Sequence, residues 1–268
     1  MDITHIRYAG DDGNPLYAST LGSGQAIVML HGGGPDRQSI IPFANLLKNE
    51  YQVIFPDIRG YGESHCFDES KHTWAQYAND VLSLINFLKT DNIILSGMGL
   101  GASISERFAI SYPNRVSALI LISPETLDKD GEGSSQEEIE MLERCSKVAR
   151  KDGLVEAWKP FLPHLTPVIN SMVQEAIPRT NAESFAAAMA IVRSKRLERH
   201  EQLSKIVAPT LIIPGSDVRH SSTIGQQYEA LIPDCTIGKS IPWNEIDSAE
   251  QFAANVVPQG IKFLAGRS

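Results

Sequence analysis

Short apolar runs without alternation constrain this chain most. They are AIVML (26–30), QVIFPD (52–57), NIILS (92–96), SALILIS (117–123) and PTLIIPG (209–215). Each is too short for a core helix and too uniformly apolar for a strand with one wet face, and glycine, proline or aspartate closes most of them. Between them the period changes. Residues 74–89 place Trp74, Tyr77, Val81, Leu84, Ile85 and Leu88 at helical spacing. Buried strands that alternate with amphipathic helices predict an α/β fold with a mostly parallel sheet flanked by helices on both faces.

The rhythm is interrupted once. IRYA (6–9) and PLYAST (15–20) read as strands around the turn Asp11-Asp12-Gly13-Asn14, and helices are expected at 39–49 and 100–111. Residues 125–205 contain no strand pattern. DKDGEGSSQEE (128–138) reads as a solvated linker that enters a helix near Ser135. Helices are expected around 136–152, 153–159, 168–177 and 182–199, with prolines between several of them. The alternation resumes with 209–215, a helix at 222–231, the strand TIGKSI (236–241) and a last helix near 248–264. The expected organisation is a core of 1–124 and 206–268 with an inserted helical cap at 125–205.

Three loops carry chemistry-bearing patterns in a fixed order: His31-Gly32-Gly33-Gly34-Pro35, Asp57-Ile58-Arg59-Gly60-Tyr61-Gly62-Glu63-Ser64 and Gly97-Met98-Gly99-Leu100-Gly101. Each follows a predicted strand, and the later strand leading into Gly215-Ser216-Asp217 keeps the same order. In these segments the chain resembles the α/β-hydrolase superfamily over essentially its whole length. The resemblance implies that backbone N–H groups of Gly33 or Gly34 and of Leu100 face a developing oxyanion, with Met98 beside them as a substrate contact. Leu100 also opens a helix, whose dipole favours negative charge there. The bland alternative is that these glycines only make tight turns. The Asp57–Ser64 segment is expected to be structural, with Arg59 pinning the loop. His31 is expected to be buried and structural.

Two members of the resembling family's catalytic triad are absent. Its strand–helix elbow carries serine, where this chain has Gly99, so no acyl-enzyme can form at that position. Glycine adopts the elbow's backbone conformation freely, so the turn survives without its nucleophile. The family's acid corresponds to Asp217. Its histidine belongs in the loop after the last strand, which here reads Pro242-Trp243-Asn244-Glu245-Ile246-Asp247; no histidine follows His220. His220, three residues after Asp217, is the candidate displaced base. Loss of serine and histidine together fits natural divergence, because residues that act as a unit lose their value together.

The chain predicts a divergent small-molecule enzyme that acts on an ester or carbonyl compound. A water in the space of the missing side chain would be activated by His220 with Asp217, or a substrate proton would be removed. The competing reading is a non-catalytic binder whose pocket uses cap residues among Trp158, Phe161, Met172, Phe185 and Met189. Gly97, Gly99 and Ala102 also fit a dinucleotide fingerprint, with Glu125 as a ribose acid, but that pattern belongs on the first strand of its domain. Cys66 is a remote alternative nucleophile. No cofactor and no metal site are expected. The net charge of −8 argues against nucleic acid or an anionic membrane as partner. The N-terminus has no secretory pattern, and no apolar run nears the ~18 residues of a membrane span. Cys66, Cys145 and Cys235 suit a reducing cytoplasm. Substrate identity and oligomeric state stay open at this level.

Overall fold

The computed structural model describes residues 2–127, 133–217 and 220–267. Its sheet has eight strands: β1 (Thr4–Ala9), β2 (Pro15–Gly22), β3 (Gln25–Leu30), β4 (Tyr51–Pro56), β5 (Ile93–Met98), β6 (Val116–Ile122), β7 (Thr210–Ile213) and β8 (Cys235–Ile237). The spatial order is β1-β2-β4-β3-β5-β6-β7-β8. β2 pairs antiparallel with β1 and β4, and all pairs from β4 onward are parallel. The unbroken apolar runs follow from this arrangement, because a central parallel strand has no wet face. Every residue of β5 is buried.

Strand side chains alternate between two cores. Leu95, Leu119, Leu121 and Ile212 pack with α2 (Trp74–Phe87) and α3 (Leu100–Ser111) through Leu84, Ile85, Ile104 and Phe108. Ile94, Ile120, Ile122 and Ile213 face the other side, where α1 (Ile41–Leu47) and α9 (Ala249–Ala265) contribute Phe43, Phe252 and Val256. Caps set the helix starts. Thr73 accepts from the Gln76 N–H ahead of α2, and Ser248 from the Gln251 N–H ahead of α9.

Between β6 and β7 run α4 (Gln136–Asp152), α5 (Leu154–Trp158), α6 (Pro167–Ala176) and α7 (Ala182–Ala188); α8 (Ser222–Leu231) follows β7. Ser135 caps α4 by accepting from Glu138 N–H. The linker expected at 128–138 lies partly outside the described residues.

Two predicted elements are shorter than expected. The helix expected over 182–199 ends as an α-helix at Ala188, tightens to a 3₁₀ turn over Met189–Arg193 and then leaves helical geometry. Tertiary bonds extract the chain there. Trp74 Nε1 donates to the Ser194 carbonyl at 2.8 Å, and Arg196 Nη1 donates to Ser103 Oγ at 2.9 Å. The strand expected over 236–241 stops at Ile237. Beyond it the Gln259 side chain of α9 takes the ladder's place, accepting from Lys239 N–H at 2.7 Å. Among the described residues no helix is long and apolar enough to cross a membrane.

Candidate functional site

The C-terminal ends of β5, β6 and β7 form the floor of the site. Their register pairs Met98 with Ile122 and Ile122 with Ile213, so the next residues, Gly99, Ser123 and Pro214, stand in a row. Gly99 holds φ 51° and ψ −115° and turns β5 into α3. Its N–H donates to the Ile122 carbonyl at 3.2 Å. A Cβ on Gly99 would meet nothing within 4 Å, so open space lies above it. The flanking glycines answer to packing instead. A Cβ on Gly97 would stand 2.1 Å from the Gly101 carbonyl oxygen, and one on Gly101 would stand 2.5 Å from the Leu30 carbonyl oxygen.

The loop after β3 faces this turn. The Gly33 Cβ position lies 3.5 Å from Leu100 Cβ and 3.9 Å from the Tyr61 hydroxyl. The Gly32 position lies 3.7 Å from the Met98 carbonyl oxygen and 3.9 Å from its Cγ. Gly33, Leu100 and Met98 are therefore neighbours. Gly34, at φ 127°, is turned toward the inserted helices, its Cβ position 2.8 Å from Trp158 Cη2 and 2.9 Å from Val173 Cγ2. Trp158 continues into a ring cluster with Phe161 and Phe185, and Phe185 packs edge-on against Tyr61 at 5.8 Å between centroids. Burial raises the Tyr61 phenol above its usual range. Met172 and Met189 are core residues, packed into opposite faces of the sheet's two cores.

His31 holds the loop through both ring nitrogens. Its Nε2 accepts from Ile58 N–H at 2.9 Å, so Nδ1 carries the proton and donates to the Gly32 carbonyl at 2.8 Å. Burial depresses its pKa and keeps it neutral. Arg59 is fully buried and spends its donors on Asp80 and Asp12 at 2.7–2.9 Å. The neighbouring carboxylates of Asp11, Asp12 and Asp80 lie within 4.8 Å of one another, and this guanidinium satisfies the latter two. Asp57 accepts from the backbone N–H groups of Arg37 and Glu63 and pairs with the Arg37 guanidinium. Cys66 is buried against Arg59.

His220 Nδ1 lies 2.8 Å from Oδ1 and 3.0 Å from Oδ2 of Asp217. The side chains are 22% and 37% exposed, so the pair sits at a partly solvated edge of the strand ends. Gly215 lies beneath it. A Cβ there would stand 2.8 Å from His220 Cβ, 2.8 Å from Ser123 Oγ and 2.9 Å from Trp243 Nε1. Strand spacing puts the ends of β5 and β7 roughly 10 Å apart, so His220 stands beside the end of β6 rather than directly over Gly99. Sequence reasoning missed Ser123 and Trp243. The only signal for Ser123 is a hydroxyl residue closing an otherwise apolar run, and Trp243 occupies the loop searched for a histidine.

Surface clefts of about 560 Å³ on α6 and about 220 Å³ between α4 and residues 189–193 lie away from the strand ends, and Met189 lines the second.

Residues 25–217 match the model of the alpha/beta hydrolase fold family. The chain is 28% identical over 194 residues to the pimeloyl-[acyl-carrier protein] methyl ester esterase of Shewanella oneidensis, covering 72% of this chain and 62% of that protein. It is 24% identical over 270 residues to a 2-hydroxy-6-oxononadienedioate/2-hydroxy-6-oxononatrienedioate hydrolase of Comamonas testosteroni, covering 91% and 92% of the two chains. The fold is shared with a thermophilic esterase from Thermogutta terrifontis at a TM-score of 0.78 and 23% identity, over 98% of each chain. With the match covering 193 consecutive positions and the strand-end loops in family order, the chain belongs to the alpha/beta hydrolase fold family.

Proposed function

We propose that the protein is a divergent small-molecule hydrolase that acts on an ester or a related carbonyl compound, with Asp217 and His220 as its proton-transfer pair. The observation that carries this reading is the 2.8 Å contact between His220 Nδ1 and Asp217. It fixes the imidazole and leaves Nε2 as the nitrogen that can take a proton. The facing backbones of Gly33 and Leu100 supply N–H groups suited to a developing oxyanion. The methyl ester esterase and the hydrolase of an oxo-acid among the relatives support the substrate class. The inserted helices at 125–205 act as a cap, with Trp158 and Val173 over Gly34. No cofactor is required by this chemistry.

The absence of a side chain at Gly99 favours one other reading, a ligand-binding protein without turnover. Short-chain aryl esters separate the two. Turnover that collapses in His220→Ala supports the hydrolase. Equal rates in both proteins, or saturable binding without consumption of the ligand, support the binder.

A further inference from the structure

Ser123 follows β6 with φ 49°, in the left-handed region that a serine rarely adopts. Lys89 is the other non-glycine residue with positive φ among the described residues, and it sits in an exposed turn. Ser123 is instead 6% exposed and held by its N–H, which donates to the Ile213 carbonyl at 2.7 Å. Its φ nearly equals that of Gly99, one strand away. A buried strained residue at strand ends persists only when its surroundings enforce it, and such residues concentrate at functional sites.

Ser123 stands beside the residue that pairs with Asp217. Ser123 Oγ, His220 Cβ and Trp243 Nε1 all approach the single point that a Gly215 Cβ would fill, within 2.8–2.9 Å. The absence of that Cβ is what lets the three converge. The Ser123 hydroxyl makes no hydrogen bond among the described residues. The Trp243 indole N–H is buried and also has no partner among them. A buried donor without a partner is costly, and an oxyanion forming on the carbonyl oxygen of a substrate beside Ser123 would satisfy it.

We propose that Ser123 is the nucleophile of a Ser123–His220–Asp217 triad, displaced by one strand from the position that Gly99 leaves empty. The proposal rests on the reading of His220 as the base of an ester hydrolase. In the resembling family the base follows the last strand and the nucleophile follows β5. Here the nucleophile follows β6 and the base follows β7, so the two shift toward each other and stand on adjacent strands.

The step balances without a co-reactant other than water. Ser123 Oγ bonds to the ester carbonyl carbon while its proton passes to His220 Nε2, and the carbonyl oxygen becomes an oxyanion near the Trp243 N–H. Collapse breaks the ester C–O bond, and the leaving alkoxide takes the proton from His220. Water then adds to the acyl-serine, giving its proton to His220, and release of the acid returns that proton to Ser123.

The test is reaction of the full chain with diethyl 4-nitrophenyl phosphate, followed by peptide mass spectrometry and by aryl-ester kinetics. The expected result is release of one nitrophenolate per chain and a diethylphosphoryl adduct on Ser123. Ser123→Ala abolishes the adduct and lowers kcat at least 10³-fold with an unchanged melting temperature. Ser123→Cys keeps the strained backbone and restores thiol-reagent-sensitive turnover. Trp243→Phe, which preserves the ring against Phe252, lowers kcat about 10²-fold with little change in KM. No adduct, or an adduct on another residue, overturns the proposal. If His220→Ala removes activity and Ser123→Ala does not, the displaced nucleophile is wrong while base catalysis by His220 stands. If neither variant changes turnover, both readings fall.

Discussion

His220 and Asp217 form a pair within one loop, Nδ1 to carboxylate at 2.8 Å across three residues. The pairing is local, so it does not depend on the loop after β8 that the resembling family uses for its histidine. Asp217 fixes which imidazole nitrogen carries the proton. Replacing it with asparagine presents the wrong tautomer, and the expected loss in kcat approaches 10⁴-fold. The Asp217 side chain is partly exposed, so the melting temperature should change little. Steady-state kinetics with a thermal melt on Asp217→Asn checks both halves of the statement.

The three elbow glycines should respond differently to alanine. Gly99→Ala meets open space but retains positive φ, a strain of about 1–3 kcal/mol. Gly97→Ala and Gly101→Ala drive a Cβ into backbone oxygens at 2.1 and 2.5 Å, which cannot move without separating α3 from the sheet. Their expected cost exceeds about 4 kcal/mol. Urea midpoints on the three variants give the ranking, and equal midpoints would contradict the close packing of α3.

Arg59 carries the loop after β4 through its bonds to Asp80 and Asp12. Arg59→Met leaves the Asp80 carboxylate buried without its counter-charge. The expected destabilisation is about 3–5 kcal/mol, with Arg59→Met/Asp80→Leu less affected than the single variant. Denaturant unfolding of wild type, both singles and the double variant measures the coupling.

His72 makes stability sensitive to acid. Burial lowers its pKa from 6.5 to about 4, and its ring nitrogens contact the Tyr77 hydroxyl and the Cys66 carbonyl. Between those pH values the unfolded chain binds a proton that the folded chain does not. Stability therefore falls as pH drops from about 6.5 to about 4, by up to about 3 kcal/mol from this group. His31 shifts in the same direction. His72→Phe should be less stable than wild type near neutrality, with the gap narrowing in acid. Chemical denaturation of both proteins at neutral and acidic pH reads this directly, and a gap that widens in acid would refute it.

Much of the fold was legible in the chain because its cues are local. NIILS and SALILIS announce buried parallel strands by their short apolar runs without alternation, and Gly97 and Gly101 announce a tight strand–helix junction. The absence of a serine at Gly99 and the presence of Asp217 and His220 in one loop are also plain from the sequence. The early end of α7 and the short β8 were not legible, because Trp74, Ser103 and Gln259, far along the chain, bond to those segments. The convergence of Ser123, His220 and Trp243 over Gly215 was equally hidden. These residues come from three segments that meet only when parallel strands align their C-terminal ends. Periodicity and turn residues specify each segment, whereas register and the missing Cβ of Gly215 decide which side chains share a point in space.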